Sequence, residues 1–220
     1  MDRRAFTRFA LTGLGAALFP ASLCRAALLA PGGQSLLPGT SPLPGSVPYQ
    51  ALLERARAAL DRHQGRIALR DRVGLADFSA ASKDLRFHIV DLEGGKATSY
   101  LVAHGRGSDP EHSGWLRSFS NDMGSFATSD GAYVTSEVYE GQHGQSMRLI
   151  GLDPQNNNAE ARAIVIHGAD YVSENFLVQW GKLGRSEGCF ALAQHMVPTV
   201  LGQLGNGRLL YADKVQLSQA

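Results

Sequence analysis

The hydrophobic positions of this chain change their period near residue 85. Between Tyr49 and His63, apolar residues recur every three or four positions with charged side chains between them, which predicts an amphipathic helix. From residue 85 onwards, the apolar residues form short runs rich in Val, Ile, Leu and Tyr, separated by Gly, Asn, Asp or Pro. These runs predict strands at residues 85–92, 98–104, 132–139, 146–152, 163–167 and 208–212.

A second helix is predicted from Ala191 to Leu204, with a break at Pro198. The regular alternation of strands and helices that characterises doubly wound folds is missing. The sequence therefore predicts a mainly β domain of the α+β class, with one helix before the strands and one near the end.

The first 48 residues differ in composition from the rest. Residues 1–26 combine a basic start around Arg3 and Arg4, a short apolar stretch and small residues near Ala26, which is the layout of an export signal peptide. The apolar stretch is too short and too rich in glycine for a stable membrane span. The twin arginine favours the Tat export route, with the Sec route as the alternative.

Residues 27–48 hold repeated Pro, Gly and Ser, which predict a flexible linker rather than a packed element. The folded domain is therefore assigned to residues 49–220. Two alternatives for the N-terminus stay open: a lipid attached to Cys24, and an N-terminal helix that is not cleaved.

Among the features of the composition, the two cysteines say most about the chemistry that the protein could perform. The net charge of +1 gives no nucleic-acid signature, and 44% hydrophobic residues are ordinary for a globular core. Of the two cysteines, Cys24 would be removed with the signal peptide, which leaves Cys189 without a disulfide partner. A free thiol outside the cytoplasm is exposed to oxidation, so its presence favours a catalytic role. A cysteine buried as a small hydrophobic residue is the alternative.

Cys189 follows Gly188 in a predicted turn, and His167 ends a predicted strand. A cysteine nucleophile needs a base, a group that orients the base, and N–H donors for the oxyanion. We predict that His167 is the base and that the carbonyl of Gly168 fixes its tautomer. The backbone amides of Gly188 and Cys189 are the predicted oxyanion donors.

These residues resemble the active-site signature of L,D-transpeptidases of the YkuD type. That signature is a His, a gap, and then Ser or Thr, His, Gly and Cys; here 18 residues separate His167 from Ser186. The resemblance is closest to the murein L,D-transpeptidase catalytic-domain-like branch and extends over residues 85–212. It rests on segments 101–108, 119–121, 139–141, 143–144, 164–172 and 184–192.

The resemblance implies a β-sandwich or barrel fold and a peptidoglycan stem peptide as substrate. Cys189 would attack the bond between a diamino acid and D-Ala, with His167 taking the thiol proton. The thioester would pass to an amine of another stem, or to water in a carboxypeptidase reaction. It further implies a carbapenem target in the periplasm or cell envelope that acts as a monomer, without cofactor, metal, nucleic acid or membrane contact after cleavage.

One position departs from the family pattern. Glu187 stands where most members have His, and its charge disfavours a neighbouring thiolate unless it points away or contacts a substrate amine. Arg185, the nearest cation in sequence, is expected to offset Glu187, lower the Cys189 pKa or bind a stem carboxylate, with an exposed loop residue as the alternative. Further candidates for substrate contact lie in segments that resemble the family, with a turn or core position as the alternative for the last five: Ser186, His104, Asn121, Tyr133, Tyr171, Ser120 and Ser125.

Three other readings compete with this prediction. Residues 184–188 also match the G-x-S-x-G pattern of serine hydrolases, although the required acid and His do not follow in order. His104, His112 and His143 could meet in a metal site, although His104 and His143 are expected to line a cleft or stabilise turns. A peptidoglycan-binding module without catalysis would keep the cleft while Glu187 weakened the chemistry.

Overall fold

The structure, a computed structural model, describes residues 46–215. The predicted signal peptide, Cys24 and nearly all of the predicted linker lie outside these residues. Helix α1 (Val47–Arg62) begins two residues before the predicted start. The Ser46 hydroxyl accepts a hydrogen bond from the Tyr49 amide, and Pro48 lies in the first turn, where no amide donor is needed. None of the helices between residues 46 and 215 is long and apolar enough to cross a membrane.

Eight strands form one mixed sheet in the order β3-β2-β1-β8-β4-β5-β6-β7. Two neighbouring pairs, β1 with β8 and β6 with β7, are parallel, and the others are antiparallel. The predicted mainly β fold class is therefore confirmed. The strands are β1 (Arg72–Asp77), β2 (Phe87–Asp91), β3 (Ala97–Tyr100), β4 (Gly131–Gly141), β5 (Gly144–Gly151), β6 (Val165–Ala169), β7 (Phe190–Ala193) and β8 (Leu209–Asp213).

The two edges of the sheet meet, so that the sheet curls like a barrel. The chain that follows β3 bridges to β7 through Ala103 and Ala191, with a hydrogen bond of 2.9 Å from the Ala103 amide to the Ala191 carbonyl. A second bridge joins Gly105 to Ser186, just before the loop that carries Cys189. The predicted nucleophile therefore lies at the seam where the sheet closes.

Successive residues of β1 show how both faces of the sheet are covered. Val73 and Leu75 join a buried cluster with the apolar face of α1. Ala76 joins a second cluster, to which helix α3 (Val197–Leu204) contributes its buried side chains. The apolar stripe of α1 and the apolar face of α3 thus cover opposite faces of the same sheet.

Three elements differ from the prediction. Strand β1 and helix α2 (Glu174–Trp180) were not predicted, and residues 190–193 form strand β7 where the start of a helix was expected. All four residues of β7 are buried, so their run is continuously apolar and shows no period that separates strand from helix. Pro198 lies in the first turn of α3 and therefore starts that helix instead of breaking it.

Candidate active site

Cys189 and His167 line the same pocket, which has a volume of about 560 Å³. The middle of β6 supplies His167, and the loop before β7 supplies Cys189; because β6 and β7 are adjacent parallel strands with His167 opposite Ala191, the two residues are brought together. The remaining lining residues come from the 123–126 loop, the β4–β5 hairpin, the segments around residues 161–165 and 185–187, and the chain just after β6. They are Met123, Gly124, Phe126, Tyr139, Gln142, His143, Ser146, Ala161, Arg162, Ala163, Val165, Tyr171, Arg185, Ser186 and Glu187.

The turn that precedes Cys189 is held by the side chain of Ser186. Its hydroxyl donates to the Cys189 carbonyl at 2.6 Å and accepts from the Gly188 amide at 3.2 Å. The Gly188 amide is thus engaged within the turn, which removes it from the two predicted oxyanion donors. Gly188 has φ +117°, and a Cβ there would lie 2.9 Å from the Ala127 carbonyl oxygen, so glycine is required at this position.

The thiol of Cys189 is partly buried and donates to the Ala163 carbonyl at 3.5 Å. Burial raises the pKa of Cys189, and the nearby charge of Glu187 raises it further. A hydrogen bond from the Val165 amide and the positive charge of Arg162 act in the opposite direction and lower that pKa. The resting site therefore favours the neutral thiol, and a base is needed to activate it.

His167 is buried and has its ring fixed on both sides. Its Nδ1 lies 2.9 Å from the Gly168 carbonyl oxygen. Because a carbonyl can only accept, Nδ1 must carry the proton, which leaves Nε2 with a free lone pair. The ring of His143 stacks on that of His167 at a centroid distance of 4.3 Å. Burial lowers the pKa of His167, so the imidazole is neutral at neutral pH and can accept a proton.

The two ionic residues beside the turn have partners outside it. Glu187 forms an ion pair with Arg106, with 2.9 Å between Oε1 and Nη2, and its side chain is 68% exposed. The guanidinium of Arg106 also stacks on the Phe126 ring at 4.0 Å. Arg185 donates to the carbonyls of Asp109 and Pro110. The expected offset of Glu187 by Arg185 is therefore corrected, since Arg106 has that role.

The sequence pattern of the L,D-transpeptidase catalytic domain matches residues 46–212, which is most of the chain. The chain belongs to this family. The predicted resemblance is thereby confirmed, and the match also includes α1 and β1, which lie before the segment on which the resemblance was based.

Two solved structures, one of them of an L,D-transpeptidase, show a distant likeness to the protein. One from Mycobacterium tuberculosis H37Rv is 13% identical with a TM-score of 0.41, over 66% of this chain and 58% of its own. The helical cell shape determining protein Pgp2 from Campylobacter jejuni is also 13% identical, with a TM-score of 0.44, over 69% of this chain and 49% of its own. The chain thus covers less than two thirds of either structure. No curated protein is significantly similar to it in sequence.

Four of the nine predicted substrate contacts of this L,D-transpeptidase family member line the pocket: Arg185, Ser186, Glu187 and Tyr171. The other five do not, and among them Ser120 and Ser125 accept hydrogen bonds from Arg162. Tyr133 is fully buried, donates to the Ser129 carbonyl at 2.8 Å and packs edge-on against Phe190. Its alternating position on β4 directs it into the core, which corrects the prediction that it contacts substrate.

Asn121 and His104 also lie outside the lining of the pocket. Asn121 joins two loops, because its amide donates to Asn157 Oδ1 at 2.7 Å and its carbonyl oxygens accept from Asn158. His104 is buried, with Nδ1 2.8 Å from an Arg86 nitrogen and Nε2 3.5 Å from Asp109. The backbone carbonyl of His104 accepts a hydrogen bond from the Ser186 amide at 2.9 Å. His104 therefore helps to hold the turn that precedes Cys189.

The histidines considered for a metal site have separate environments. His112 lies 2.8 Å from the Leu183 carbonyl, His143 stacks on His167, and His104 contacts Arg86. Between residues 46 and 215, no group of three His, Cys, Asp or Glu side chains is arranged to hold a metal ion. Ser186, the serine of the G-x-S-x-G pattern, donates its hydroxyl to the turn instead of to a histidine.

The sequence did not lead us to predict Arg162 as a site residue, nor to predict that His143 lies beside His167. Both line the pocket, Arg162 from the turn before β6 and His143 from the β4–β5 hairpin. The available signal for Arg162 was its position five residues before His167 at the start of a predicted strand. For His143, the signal was a histidine beside a glycine at a hairpin tip.

Proposed function

We propose that the protein is a cysteine-dependent peptidoglycan L,D-transpeptidase. The observation that carries this proposal is that Cys189 and His167 line one pocket, with the His167 Nδ1 proton directed to the Gly168 carbonyl. This arrangement leaves Nε2 as the acceptor for a proton. The family match supports the reaction class and the peptidoglycan substrate.

The proposed reaction begins when the Cys189 sulfur attacks the carbonyl carbon between the diamino acid and D-Ala of a tetrapeptide stem. The thiol proton passes to His167 Nε2, and the carbonyl oxygen becomes an oxyanion near the Cys189 amide. When the intermediate collapses, the C–N bond breaks, His167 returns the proton to the leaving D-Ala amine, and a thioester remains on Cys189.

In the second half of the reaction, an amine of a neighbouring stem attacks the thioester and loses its proton to His167. The C–S bond breaks, a new amide bond links the two stems, and Cys189 regains its proton. Transfer to water instead would release the shortened stem as a carboxylic acid, which makes the protein a carboxypeptidase. The protein would act in the cell envelope, where its substrate is found.

Acylation by a carbapenem tests this proposal. We expect the purified protein to gain the mass of the β-lactam in intact-mass spectrometry, because the thiolate opens the ring and forms a thioester. Cys189→Ser should lose the adduct, since the weaker nucleophile remains in the same turn. His167→Ala should keep its fold by circular dichroism and acylate at least tenfold more slowly, because one positioned base contributes about 10²–10⁴-fold.

Binding to isolated peptidoglycan separates the proposal from its alternative. A folded protein that sediments with peptidoglycan, yet forms neither a carbapenem adduct nor cross-linked muropeptides, would be a binding module without catalysis. Unchanged acylation in His167→Ala would rule out the assigned base. Chromatography of muropeptide products would then distinguish cross-linking from removal of D-Ala.

A further inference from the structure

The guanidinium of Arg162 joins the pocket to the loop of residues 120–129. Its Nη1 donates to the Ser120 carbonyl and to Ser129 Oγ, both at 2.7 Å. Its Nη2 donates to Ser125 Oγ at 3.1 Å and to the Ala127 carbonyl. The four bonds fix the position of the charge, because a planar fork of donors that is satisfied at both nitrogens cannot easily rotate away.

The same guanidinium lies against the turn that carries the nucleophile. A Cβ built on Gly188 would be 3.3 Å from Arg162 Nη2 and 2.9 Å from the Ala127 carbonyl, so the turn, the arginine and the loop are in close contact. Among the described residues, no carboxylate lies within 4.0 Å of Arg162 to neutralise it. Arg162 is therefore a partly buried cation beside the turn that carries Cys189, with no carboxylate in contact. The acidic groups that act on this pair from a distance are Asp122, on the arginine, and Glu187, on the thiol.

The other two cations near the turn are already engaged. Arg106 pairs with Glu187, and Arg185 is directed to the carbonyls of Asp109 and Pro110. His167 is neutral in the resting site, so it offers no positive charge to the sulfur. Of these cations, Arg162 is the one whose positive charge lowers the pKa of Cys189.

We propose that Arg162 is a positioning residue with two linked roles: its charge stabilises the Cys189 thiolate, and its four hydrogen bonds hold the 120–129 loop against the Gly188 turn. This inference rests on Cys189 being the nucleophile of the proposed function. One consequence is that ordering of the 120–129 loop and reactivity of the thiol depend on the same side chain. A ligand that orders this loop would thereby also fix the cation beside the sulfur.

The pH dependence of Cys189 alkylation by iodoacetamide tests the role of the charge, because only the thiolate reacts. Every chain in the experiment carries Cys24→Ser, so that one thiol is measured. In Arg162→Gln, we expect the midpoint of the rate profile to rise by about one pH unit and the rate at pH 7 to fall about tenfold. Arg162→Lys keeps the charge and should retain most of the rate.

A second pair of variants leaves Arg162 in place and keeps the test decisive if its substitution prevents folding. Ser125 is partly exposed and bonded to Nη2. Ser125→Asp places a carboxylate on the guanidinium and should also raise the alkylation midpoint, whereas the uncharged Ser125→Asn should leave it unchanged. Equal midpoints for Asp, Asn and serine at position 125, or for Gln and Arg at position 162, would overturn the proposal.

Alkylation uses no peptidoglycan, so this test can fail independently of the proposed function. A protein without a carbapenem adduct whose alkylation midpoint still depends on Arg162 would contradict the transpeptidase assignment and support the role of Arg162. A protein that forms the adduct at an unchanged rate in Arg162→Gln would support the enzyme and contradict this inference.

Discussion

Glu187 lies two residues before the proposed nucleophile, and its charge is compensated by Arg106. In most family members, the sequence signature has His at this position, and a carboxylate there opposes formation of the thiolate. The ion pair with Arg106, and the exposure of both side chains to water, weaken that effect. We therefore expect the departure from the family pattern to weaken the proposed reactivity of Cys189 without removing it.

Neutralisation of Glu187 should therefore accelerate the chemistry slightly. We expect Glu187→Gln to increase the rate of Cys189 alkylation at pH 7 by about two- to threefold, since exposed charges interact by less than about 1 kcal/mol. Arg106→Gln should slow it by a similar factor, because Glu187 then loses its partner.

Arg70→Gln is the matched control for these variants. Arg70 is also an exposed arginine paired with an acid, Asp61, but it does not line the pocket. A change of tenfold or more in Glu187→Gln would show that water does not screen this carboxylate, in contrast to its exposed position. The effects are measured as stopped-flow rates at two salt concentrations, because screening should shrink them at high salt.

The residues of the site were predicted best where the backbone determines their place. Gly168 and His167 are neighbours in sequence within β6, so their hydrogen bond depends only on the local backbone. Arg162 could not be chosen in this way, because its partners Ser120 and Ser129 are 42 and 33 residues away in the chain. Arg185 is nearest to Glu187 in sequence, yet its side chain is directed to other carbonyls.

At the scale of elements, the six predicted strands were found because each has an apolar run bounded by turn residues. Strand β1 escaped prediction because α1 and α3 cover its two faces, so its apolar run does not alternate, and Gly74 interrupts it. Helix α2 could have been predicted from its two capping residues. The hydroxyl of Ser173 accepts a hydrogen bond from the Phe176 amide at the N-terminus of the helix, and Gly181, with φ 68°, ends the helix.

Helix α1 should contribute to stability without a direct role in the pocket. Leu52 is fully buried in the cluster between α1 and the sheet. We expect Leu52→Ala to lower the free energy of unfolding by about 2–5 kcal/mol, because it removes buried methyl groups and leaves a cavity. Val47→Ala in the same helix should change it by less than about 0.5 kcal/mol, since Val47 is 66% exposed.

Urea denaturation provides these free energies, and carbapenem acylation below the transition provides the control. The acylation rate of folded Leu52→Ala should equal that of the unmodified protein. If fully folded Leu52→Ala were acylated more slowly than the unmodified protein, helix α1 would have an influence on the pocket that we do not expect.

At the scale of the whole molecule, a group of buried charged residues supports the seam of the sheet. Arg86 is fully buried, donates to the Val102 and Ala80 carbonyls and contacts His104. Burial lowers the pKa of Arg86 to about 9, and the acidic residues around it, Asp77 first, counteract this. The charge is retained at neutral pH, so the segment that leads into the Gly105–Ser186 bridge is anchored by a buried cation.

The buried histidines should make the fold sensitive to acid. Burial lowers the pKa of His88 from 6.5 to about 4. Below pH 6.5 the unfolded chain binds a proton at this position that the folded chain does not, so stability falls as the pH drops towards 4. Each unit of pKa difference corresponds to about 1.4 kcal/mol.

A variant isolates this contribution from that of the carboxylates. His88→Asn keeps a nitrogen near the Ser99 hydroxyl, which lies 2.7 Å from Nδ1, but cannot gain a proton. Its urea midpoint should be lower at pH 7.5, and it should fall less between pH 6.5 and 4.5 than in the unmodified protein. If the urea midpoints of the two proteins fell equally between pH 6.5 and 4.5, His88 would not couple folding to pH.

Strand β8 lies in the middle of the sheet although it is the last strand of the described chain. It pairs in parallel with β1 and antiparallel with β4, so it separates the group β1 to β3 from the group β4 to β7. Until residues 209–213 have left the ribosome, the two groups have no common partner strand. The nascent chain should therefore stay protease-sensitive until strand β8 has been synthesised, and chaperones can engage it before it folds.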